Sequence, residues 1–163
     1  MHIRVKYFNR QQPIEIKANG NWIDLRANED VFIPKGQAKK IPLGIAMELP
    51  EGYEAHLLPR SSTFTNFGLI QTNGQGIIDT SYCGDHDEWC MNAFYLRPMT
   101  MINGFEGSQV HKGDRICQFR IMKSQPEIIF ETVETLGNAD RGGFGSTGIA
   151  LCYSCKQHRG ITL

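Results

Sequence analysis

The chain has 163 residues, of which 40% are hydrophobic and 21% charged, and its seventeen acidic side chains balance seventeen lysines and arginines. These totals predict one domain with a sizeable core, and the missing basic excess argues against a nucleic-acid partner. No apolar run approaches the length of a membrane span, and residues 1–6 lack the apolar centre of a signal peptide. We therefore expect a cytoplasmic protein with no membrane partner.

Short apolar or alternating runs follow one another along the chain at intervals of about ten residues, with turn signals between them. The predicted strands are residues 3–8, 22–26, 31–33, 41–49, 53–58, 69–71, 77–78, 89–96, 115–122 and 127–133. Only residues 62–67 suit a helix, with Ser61 as the expected N-cap. The pattern indicates an all-β sandwich or barrel over residues 1–135, followed by a glycine-rich arm and tail of the same domain over residues 136–163.

The five cysteines, Cys83, Cys90, Cys117, Cys152 and Cys155, are odd in number and follow no disulfide framework. That arrangement predicts free thiols in a reducing compartment. The spacing of Cys152 and Cys155 suits a metal or redox pair, but a lone pair of this kind is a weak signal.

The stretch over residues 74–82 combines two glycines, two β-branched residues, a carboxylate and an aromatic ring. In a strand the side chains alternate, so Ile77 and Asp79 share one face and Ile78 takes the other. Asp79 would stand at the edge of a rigid hairpin beside Tyr82, which suits a general base next to a flat ligand. The alternative is an aspartate that only ends the strand as a turn former.

Two segments have the composition of anion-binding loops. Residues 59–62 place Arg60 where a strand meets the short helix, and a helix N-terminus with a guanidinium suits phosphate. Residues 141–148 offer converging N–H groups, hydroxyl donors and the ring of Phe144 for stacking. The alternatives are a capped helix with a surface arginine and a flexible tail.

Three polar residues stand in or beside predicted strands. Asp24 looks buried and needs a partner, which an arginine or a hydrated metal ion would supply. Gln118 interrupts an apolar strand and so suits a ligand-facing position. Asp114 and Arg115 are expected to pair within their turn, and the five histidines have no ligand spacing.

Five segments, in this order, resemble the five motifs of the trimeric dUTPase family. They are Asp24-Leu25-x-Ala27, Pro59-Arg60-Ser61-Ser62 through Gly68, Asn73-x-x-Gly76-x-Ile78-Asp79-x-x-Tyr82-x-Gly84, Gly113-Asp114-Arg115-Ile116-x-Gln118, and Arg141-Gly142 through Gly148. The residues around Trp22 and the shortened fifth segment resemble a subgroup from Gram-positive bacteria and their phages. The resemblance implies a β jelly roll, or distorted barrel, with one short helix and a mobile C-terminal arm.

The same resemblance implies a homotrimer that splits dUTP into dUMP and pyrophosphate with Mg²⁺, each site taking segments from three subunits. Asp79 would be the general base that activates the attacking water, and Asp24 would act on the arginine and the metal-bound waters. Mg²⁺ would be held by substrate phosphates and waters, with no direct protein ligand. Arg60, Ser61 and Gln118 would hold the phosphate chain. The remaining implied substrate contacts are Ser62, Asn73, Gly76, Ile78, Tyr82, Arg141, Phe144, Ser146 and Thr147.

Some features depart from the family pattern and leave alternatives open. The fifth segment lacks two residues between Arg141 and Phe144, so Trp89 or Met91 is an alternative ring or side chain over the uracil. Residues 98–110 read as an insertion, and residues 149–163 continue past the usual end. A dCTP deaminase is the enzymatic alternative, which Asp79 and the arm disfavour. A nucleotide-sensing module with a regulatory protein partner is the non-enzymatic one.

Overall fold

The computed structural model describes residues 1–96, 101–102, 104–143, 150–151 and 158–159. It divides into two compact units, Met1–Pro126 and Glu127–Leu163, which are described separately. The elements are β1 (Arg4–Tyr7), β2 (Ile23–Arg26), β3 (Val31–Pro34), β4 (Ala38–Pro42), β5 (Ile45–Glu48), β6 (Tyr53–Pro59), α1 (Thr63–Phe67), β7 (Leu69–Gln71), β8 (Gly76–Ile78), β9 (Cys90–Tyr95), β10 (Met101–Ile102), β11 (Phe105–Val110), β12 (Arg115–Lys123), β13 (Ala150–Leu151) and β14 (His158–Arg159).

The strands form antiparallel sheets throughout the described residues. The first unit has a four-stranded sheet in the order β2-β12-β6-β8, two three-stranded sheets, β10-β11-β3 and β4-β9-β7, and the pair β1-β5. In the second unit β13 pairs with β14. The predicted all-β jelly roll with one short helix is therefore confirmed. The predicted boundary at residue 135 stays a prediction.

The core is built from the alternating faces of these strands. Along β9 every second side chain is buried, so Met91, Ala93 and Tyr95 point inward. Trp89, just before that strand, packs its ring edge-on against Phe119 of β12, with the ring centroids 5.4 Å apart. This alternation is the reason that the period-two pattern of the sequence located most strands correctly.

The apolar run over residues 41–49 is two strands rather than one. Gly44 separates β4 from β5 with a φ of +70°, a conformation that L side chains rarely adopt. A Cβ at this position would also lie 2.7 Å from Gln11 Cγ. Both facts require glycine at this bend.

The predicted strand over residues 127–133 is wrong, because the structure gives this segment no strand. Its large apolar side chains are exposed in the single chain: Ile129 is 86% and Phe130 is 90% accessible. The composition suits a strand, but a strand also needs a neighbour to supply its hydrogen bonds.

The helix begins one residue later than predicted. Ser62, not Ser61, is its N-cap, and the Ser62 side chain makes no capping hydrogen bond. The Thr63 hydroxyl instead accepts from Arg60 N at 2.9 Å and donates to Ile116 O at 2.7 Å. Within the described residues, no helix combines the length and apolarity needed to cross a membrane.

Candidate active site

The predicted hairpin over residues 73–79 is a turn between two sheets, because β7 pairs with β9 whereas β8 pairs with β6. The turn and β8, called the hairpin segment, are fixed against the four-stranded sheet. In β8, Ile78 lies opposite Ala55 and Gly76 lies opposite Leu57 of β6. A Cβ at position 76 would be 3.1 Å from Leu57 Cβ, so the approach is tight even for a small side chain. Ile77 is exposed and Ile78 is half-buried against the core, as the predicted alternation requires.

Asp79 follows β8 as an exposed carboxylate with a defined orientation. Its Oδ1 accepts hydrogen bonds from the Ser81 hydroxyl and from Ser81 N, the latter at 2.9 Å. The hydroxyl hydrogen bond, followed by the backbone one, holds the pKa of Asp79 below its ordinary value. The group is therefore ionised at neutral pH and in contact with solvent.

An open cleft of about 390 Å³ lies beside this hairpin. It is lined by Lys40, Leu57, Asn73, Gly76, Ile77, Ile78, Asp79, Ser81, Tyr82, Glu88, Trp89, Cys90 and Asn92. The cleft brings together the predicted site residues of the third segment, from Asn73 to Tyr82. A cleft of this size fits the nucleoside part of a nucleotide.

Tyr82 is positioned in this cleft by the loop that follows it. Its hydroxyl donates to Glu88 O at 3.2 Å, and burial raises the pKa of the phenol. The Glu88 carboxylate in turn accepts from Gly44 N at 2.8 Å and from Asn28 Nδ2 at 3.1 Å. Glu88 therefore ties the Tyr82 loop to the bend between β4 and β5.

The burial of Trp89 and Met91 disfavours the alternative that one of them covers the base. Trp89 is 1% exposed and Met91 is fully buried, so neither offers a surface to a base. Both residues were candidates for contact with the base because they closely follow the third segment in sequence. Side chains alternate between the two faces of β9, and those of Trp89 and Met91 lie on the face that packs into the core.

A second group of predicted site residues surrounds Asp24 on β2. Asp24 Oδ1 accepts from Arg60 Nε at 2.8 Å, while Lys17 Nζ lies 3.2 Å and Arg115 Nε 3.8 Å from Oδ2. The Asp24 side chain is 16% exposed, so the prediction of a largely buried acid with an arginine partner is confirmed.

The predicted pairing of Asp114 with Arg115 is wrong. Asp114 accepts from His111 N at 2.8 Å within the turn, whereas Arg115 points to Asp24 and to Glu15. At the start of β12 the register with β2 shifts between Arg115 and Cys117, so the pairing is irregular where Arg115 leaves its turn. Irregularities of this kind re-aim side chains.

Gln118 sits centrally in the sheet beside this cluster. On β12 it lies between Asp24 of β2 and Leu58 of β6, and its Nε2 donates to Pro59 O at 3.3 Å. Ser61 is exposed and Ser62 half-buried in the link from Arg60 to α1. The sheet thus gathers Asp24, Arg60 and Gln118 at one end of β6.

Asp79 belongs to the other end of β6. Ile78 pairs with Ala55, so Asp79 is level with residue 54, six positions from Arg60. At about 3.3 Å per residue, the two side chains start roughly 20 Å apart along the strand. A second, small pocket is lined in part by Lys17, Asp24 and Arg115, and it shares no lining residue with the cleft at the hairpin segment. Within one chain the two groups are separate.

The arm residues are only partly described. Arg141 is exposed in the second unit, whereas Phe144, Ser146 and Thr147 lie outside the described residues, as do Cys152 and Cys155. Cys83, Cys90 and Cys117 are free thiols, as predicted. In the predicted insertion, β10 and β11 form an antiparallel hairpin, and β11 pairs with β3.

Sequence reasoning missed three groups that the structure connects to these sites. Lys17 reaches Asp24 from seven residues earlier in the chain and Arg115 from the distant strand β12, and nothing in their local sequence signals either contact. His56 contacts Gln75 of the hairpin through Nδ1 and Glu54 through Nε2, the latter at 2.6 Å. The spacing of Glu54 and His56, two positions apart and so on one face of a strand, was the one available signal for the Glu54–His56 contact.

The comparisons with known proteins agree on one family. The family model for dUTPase matches residues 22–148. The SPbeta prophage-derived deoxyuridine 5'-triphosphate nucleotidohydrolase YosS of Bacillus subtilis (strain 168) is 55% identical over 149 residues, which cover 91% of this chain and 99% of that protein.

Two solved structures share the fold. A mutant dUTPase of Staphylococcus bacteriophage 80alpha with dUpNHpp matches with a TM-score of 0.73 at 20% identity, covering 91% of this chain and 99% of that one. A mutant dUTPase from phage phi11 of S. aureus matches with a TM-score of 0.68 at 19% identity, covering 83% and 99%, and is described as coordinating a structural Mg(II) ion. At these identities the likeness shows the fold alone.

Proposed function

The chain belongs to the dUTPase family and is an enzyme that hydrolyses dUTP to dUMP and pyrophosphate, and from this premise we propose how its residues carry out the reaction. The observation that carries the proposal is the exposed Asp79 carboxylate, oriented by Ser81 beside a cleft that fits a nucleoside.

Asp79 acts as the general base for the attacking water. Ser81 engages Oδ1 and keeps the carboxylate ionised, so it can accept a proton from a water molecule at neutral pH. The water attacks the α-phosphorus in line with the departing pyrophosphate. The proton passes to Asp79 as the new P–O bond forms and the bond to the leaving oxygen breaks.

The phosphate chain is held by the group around Asp24. Arg60 presents a permanently charged fork, and Ser61 and Gln118 add neutral donors next to it. Ser62, at the N-cap of α1, adds a further polar contact. Asp24 fixes Arg60 through its 2.8 Å hydrogen bond and so acts as a positioning residue for the guanidinium.

The donor set suits a Mg²⁺ ion that keeps its waters. Among the described residues there is no group of three His, Cys, Asp or Glu side chains that could hold a metal directly. Asp24 already has a cation on each oxygen, so it suits hydrogen bonds from metal-bound water better than a direct metal bond. When bound to the substrate phosphates, Mg²⁺ neutralises their charge.

The cleft at the hairpin segment binds the nucleoside and selects its base and sugar. Asn73 and the backbone from Gly76 to Ile78 pair with the uracil edge, and Tyr82 packs under the deoxyribose and excludes a 2′-hydroxyl. Mismatched bases are rejected because the polar groups of the hairpin would be left unpaired. The contact from Gln75 to His56 supports this role, since it ties the hairpin to β6.

The arm closes over the bound nucleotide. Arg141, Ser146 and Thr147 contact the terminal phosphate, and Phe144 covers the uracil. Ordering the arm would exclude water and keep the triphosphate in the in-line geometry. The burial of Trp89 supports Phe144 in this role, because it removes the other aromatic candidate.

The active site is completed between copies of the chain in a homotrimer. The separation of about 20 Å between Asp79 and Arg60, set by the strand rise, prevents them from meeting on one phosphate within a chain. The exposed Ile129 and Phe130 also need cover, and a neighbouring copy supplies it. Cytoplasmic placement is supported by the free thiols at Cys83, Cys90 and Cys117.

A complementation experiment tests the shared site. Asp79→Asn and Arg60→Ala chains, each inactive alone, are unfolded together, refolded at equal ratio and assayed with dUTP and Mg²⁺. In a cyclic trimer about a quarter of the sites then combine both wild-type residues, so about a quarter of the activity returns. Activity that stays at the level of the separate mutants would refute the shared site.

A substrate panel tests the chemistry itself. Pyrophosphate release is followed with dUTP, dCTP, dTTP and UTP in the presence of Mg²⁺, together with ammonia release from dCTP. We expect turnover of dUTP alone. Ammonia from dCTP would favour the deaminase alternative, and silence with all four nucleotides would favour the binding module.

A further inference from the structure

We propose that Lys17, in the segment before β2, supports phosphate binding beside Arg60, and that Glu15 opposes that binding by competing for Arg115. The inference rests on the proposed function, because it assumes that the phosphate chain binds beside Arg60 and Asp24. It adds to the site a segment outside all five family motifs.

The segment is anchored, so the place of Lys17 is set by the fold. Gln11 is 8% exposed, and its Nε2 donates to Arg26 O at 2.9 Å and to Leu43 O at 3.1 Å. Three residues on, Ile14 N donates to the Tyr7 hydroxyl at 3.1 Å. These hydrogen bonds hold the chain against β2 just before Lys17.

Three cations surround the single carboxylate of Asp24. Arg60 takes Oδ1, while Lys17 and Arg115 approach Oδ2 at 3.2 Å and 3.8 Å. Glu15 lies 3.5 Å from Arg115 and is the second acid of the cluster. Three positive and two negative side chains leave the cluster with one excess positive charge, which suits a polyanionic ligand.

Lys17 is the member of the cluster best able to respond to a ligand. Its side chain is 53% exposed, whereas those of Arg60 and Arg115 are 28% and 33% exposed. While paired, it neutralises Asp24 and reduces the repulsion between that carboxylate and an incoming phosphate. Its flexible stem also lets the ammonium turn to a phosphate oxygen, as lysines do at phosphate sites. Glu15 has the opposite effect, because it competes for Arg115.

The role predicts an effect that depends on the number of phosphates. Solvent screens an exposed ammonium, so Lys17→Ala should weaken binding of dUpNHpp by about two- to fivefold and leave that of dUMP nearly unchanged. Lys17→Arg should restore affinity, because it keeps the charge. Glu15→Gln should tighten dUpNHpp by a similar factor, because it frees Arg115.

The test is calorimetric titration of the full-length protein with dUpNHpp and with dUMP at two salt concentrations. Lys35→Ala is the matched control, because Lys35 forms a similar exposed pair with Glu106 away from the cluster. We expect the loss in Lys17→Ala to shrink at the higher salt. Equal losses for both ligands would overturn the inference, as would no loss in Lys17→Ala while Arg60→Ala weakens dUpNHpp. If Arg60→Ala also binds normally, the proposed phosphate site fails together with the inference.

Discussion

Replacing Asp79 by asparagine isolates the general base from the geometry of the hairpin. Asparagine keeps an oxygen at the Oδ1 position, so it can still accept from Ser81 N and from the Ser81 hydroxyl. The antiparallel pairing of β8 with β6 involves main-chain groups that the substitution does not touch. What is lost is the negative charge and with it the ability to take a proton.

The size of the loss follows from that difference. A positioned general base contributes about a hundred- to ten-thousandfold to a rate, which corresponds to roughly 3–5 kcal/mol of barrier. We therefore expect kcat for dUTP to fall at least a hundredfold in Asp79→Asn. Binding of dUMP should change by less than about threefold, because the cleft and Tyr82 keep their places.

The assay is steady-state cleavage of saturating dUTP with Mg²⁺, with dUMP affinity measured on the same preparation. Asp30→Asn is the control, since Asp30 is also an exposed turn aspartate whose pKa is lowered, there chiefly by a hydrogen bond from Lys112 N. The control should keep its activity. A kcat within tenfold of wild type in Asp79→Asn would remove this residue from the role of base.

Three further predictions concern the surroundings of the site. Ser81→Ala removes the hydroxyl hydrogen bond, the larger of the two from Ser81 that stabilise the charged form, so the pKa of Asp79 rises and the acid limb of kcat/KM moves to higher pH; an unmoved limb would contradict this. Thr63→Ala unpairs the two main-chain groups that Thr63 bridges beside Arg60, costing about 1–3 kcal/mol in thermal unfolding, whereas Thr63→Ser should lose much less. Phe130→Asp should shift the assembly from trimer to monomer in light scattering, and an unchanged mass would contradict the proposed cover.

The turn at residues 73–75 and the strand after it were predictable because their signals are local, whereas the pairing of that strand with β6, and not with β7, was not. The alternation that puts Ile77 on the exposed face and Ile78 toward the core depends only on neighbouring residues in a strand. The same holds for the glycine at position 76 and for the aspartate that ends the strand. The all-β architecture follows from the same period of two.

The partners of Asp24 were predictable only as a class. Burial of a carboxylate demands a cation, so an arginine or a hydrated metal could be expected. Which cation it is depends on the order β2-β12-β6, because that order brings Arg60 from 36 residues away. The register shift beside Arg115, which points to Asp24 rather than into its own turn, leaves no signature in the local sequence.

Burial and pairing also overrode local preference at two other places. Trp89 looks like a ring available for stacking until the inward face before β9 places it in the core. Residues 127–133 have the composition of a strand, yet the single chain gives them no strand.

The sequence by itself determined the strand faces, the turn before β8 and the residue types at the two halves of the site, because these depend on near neighbours along the chain. Only the tertiary structure decided which side chains meet at Asp24 and how far Asp79 lies from Arg60, because register and its irregularities are set by pairing between distant segments.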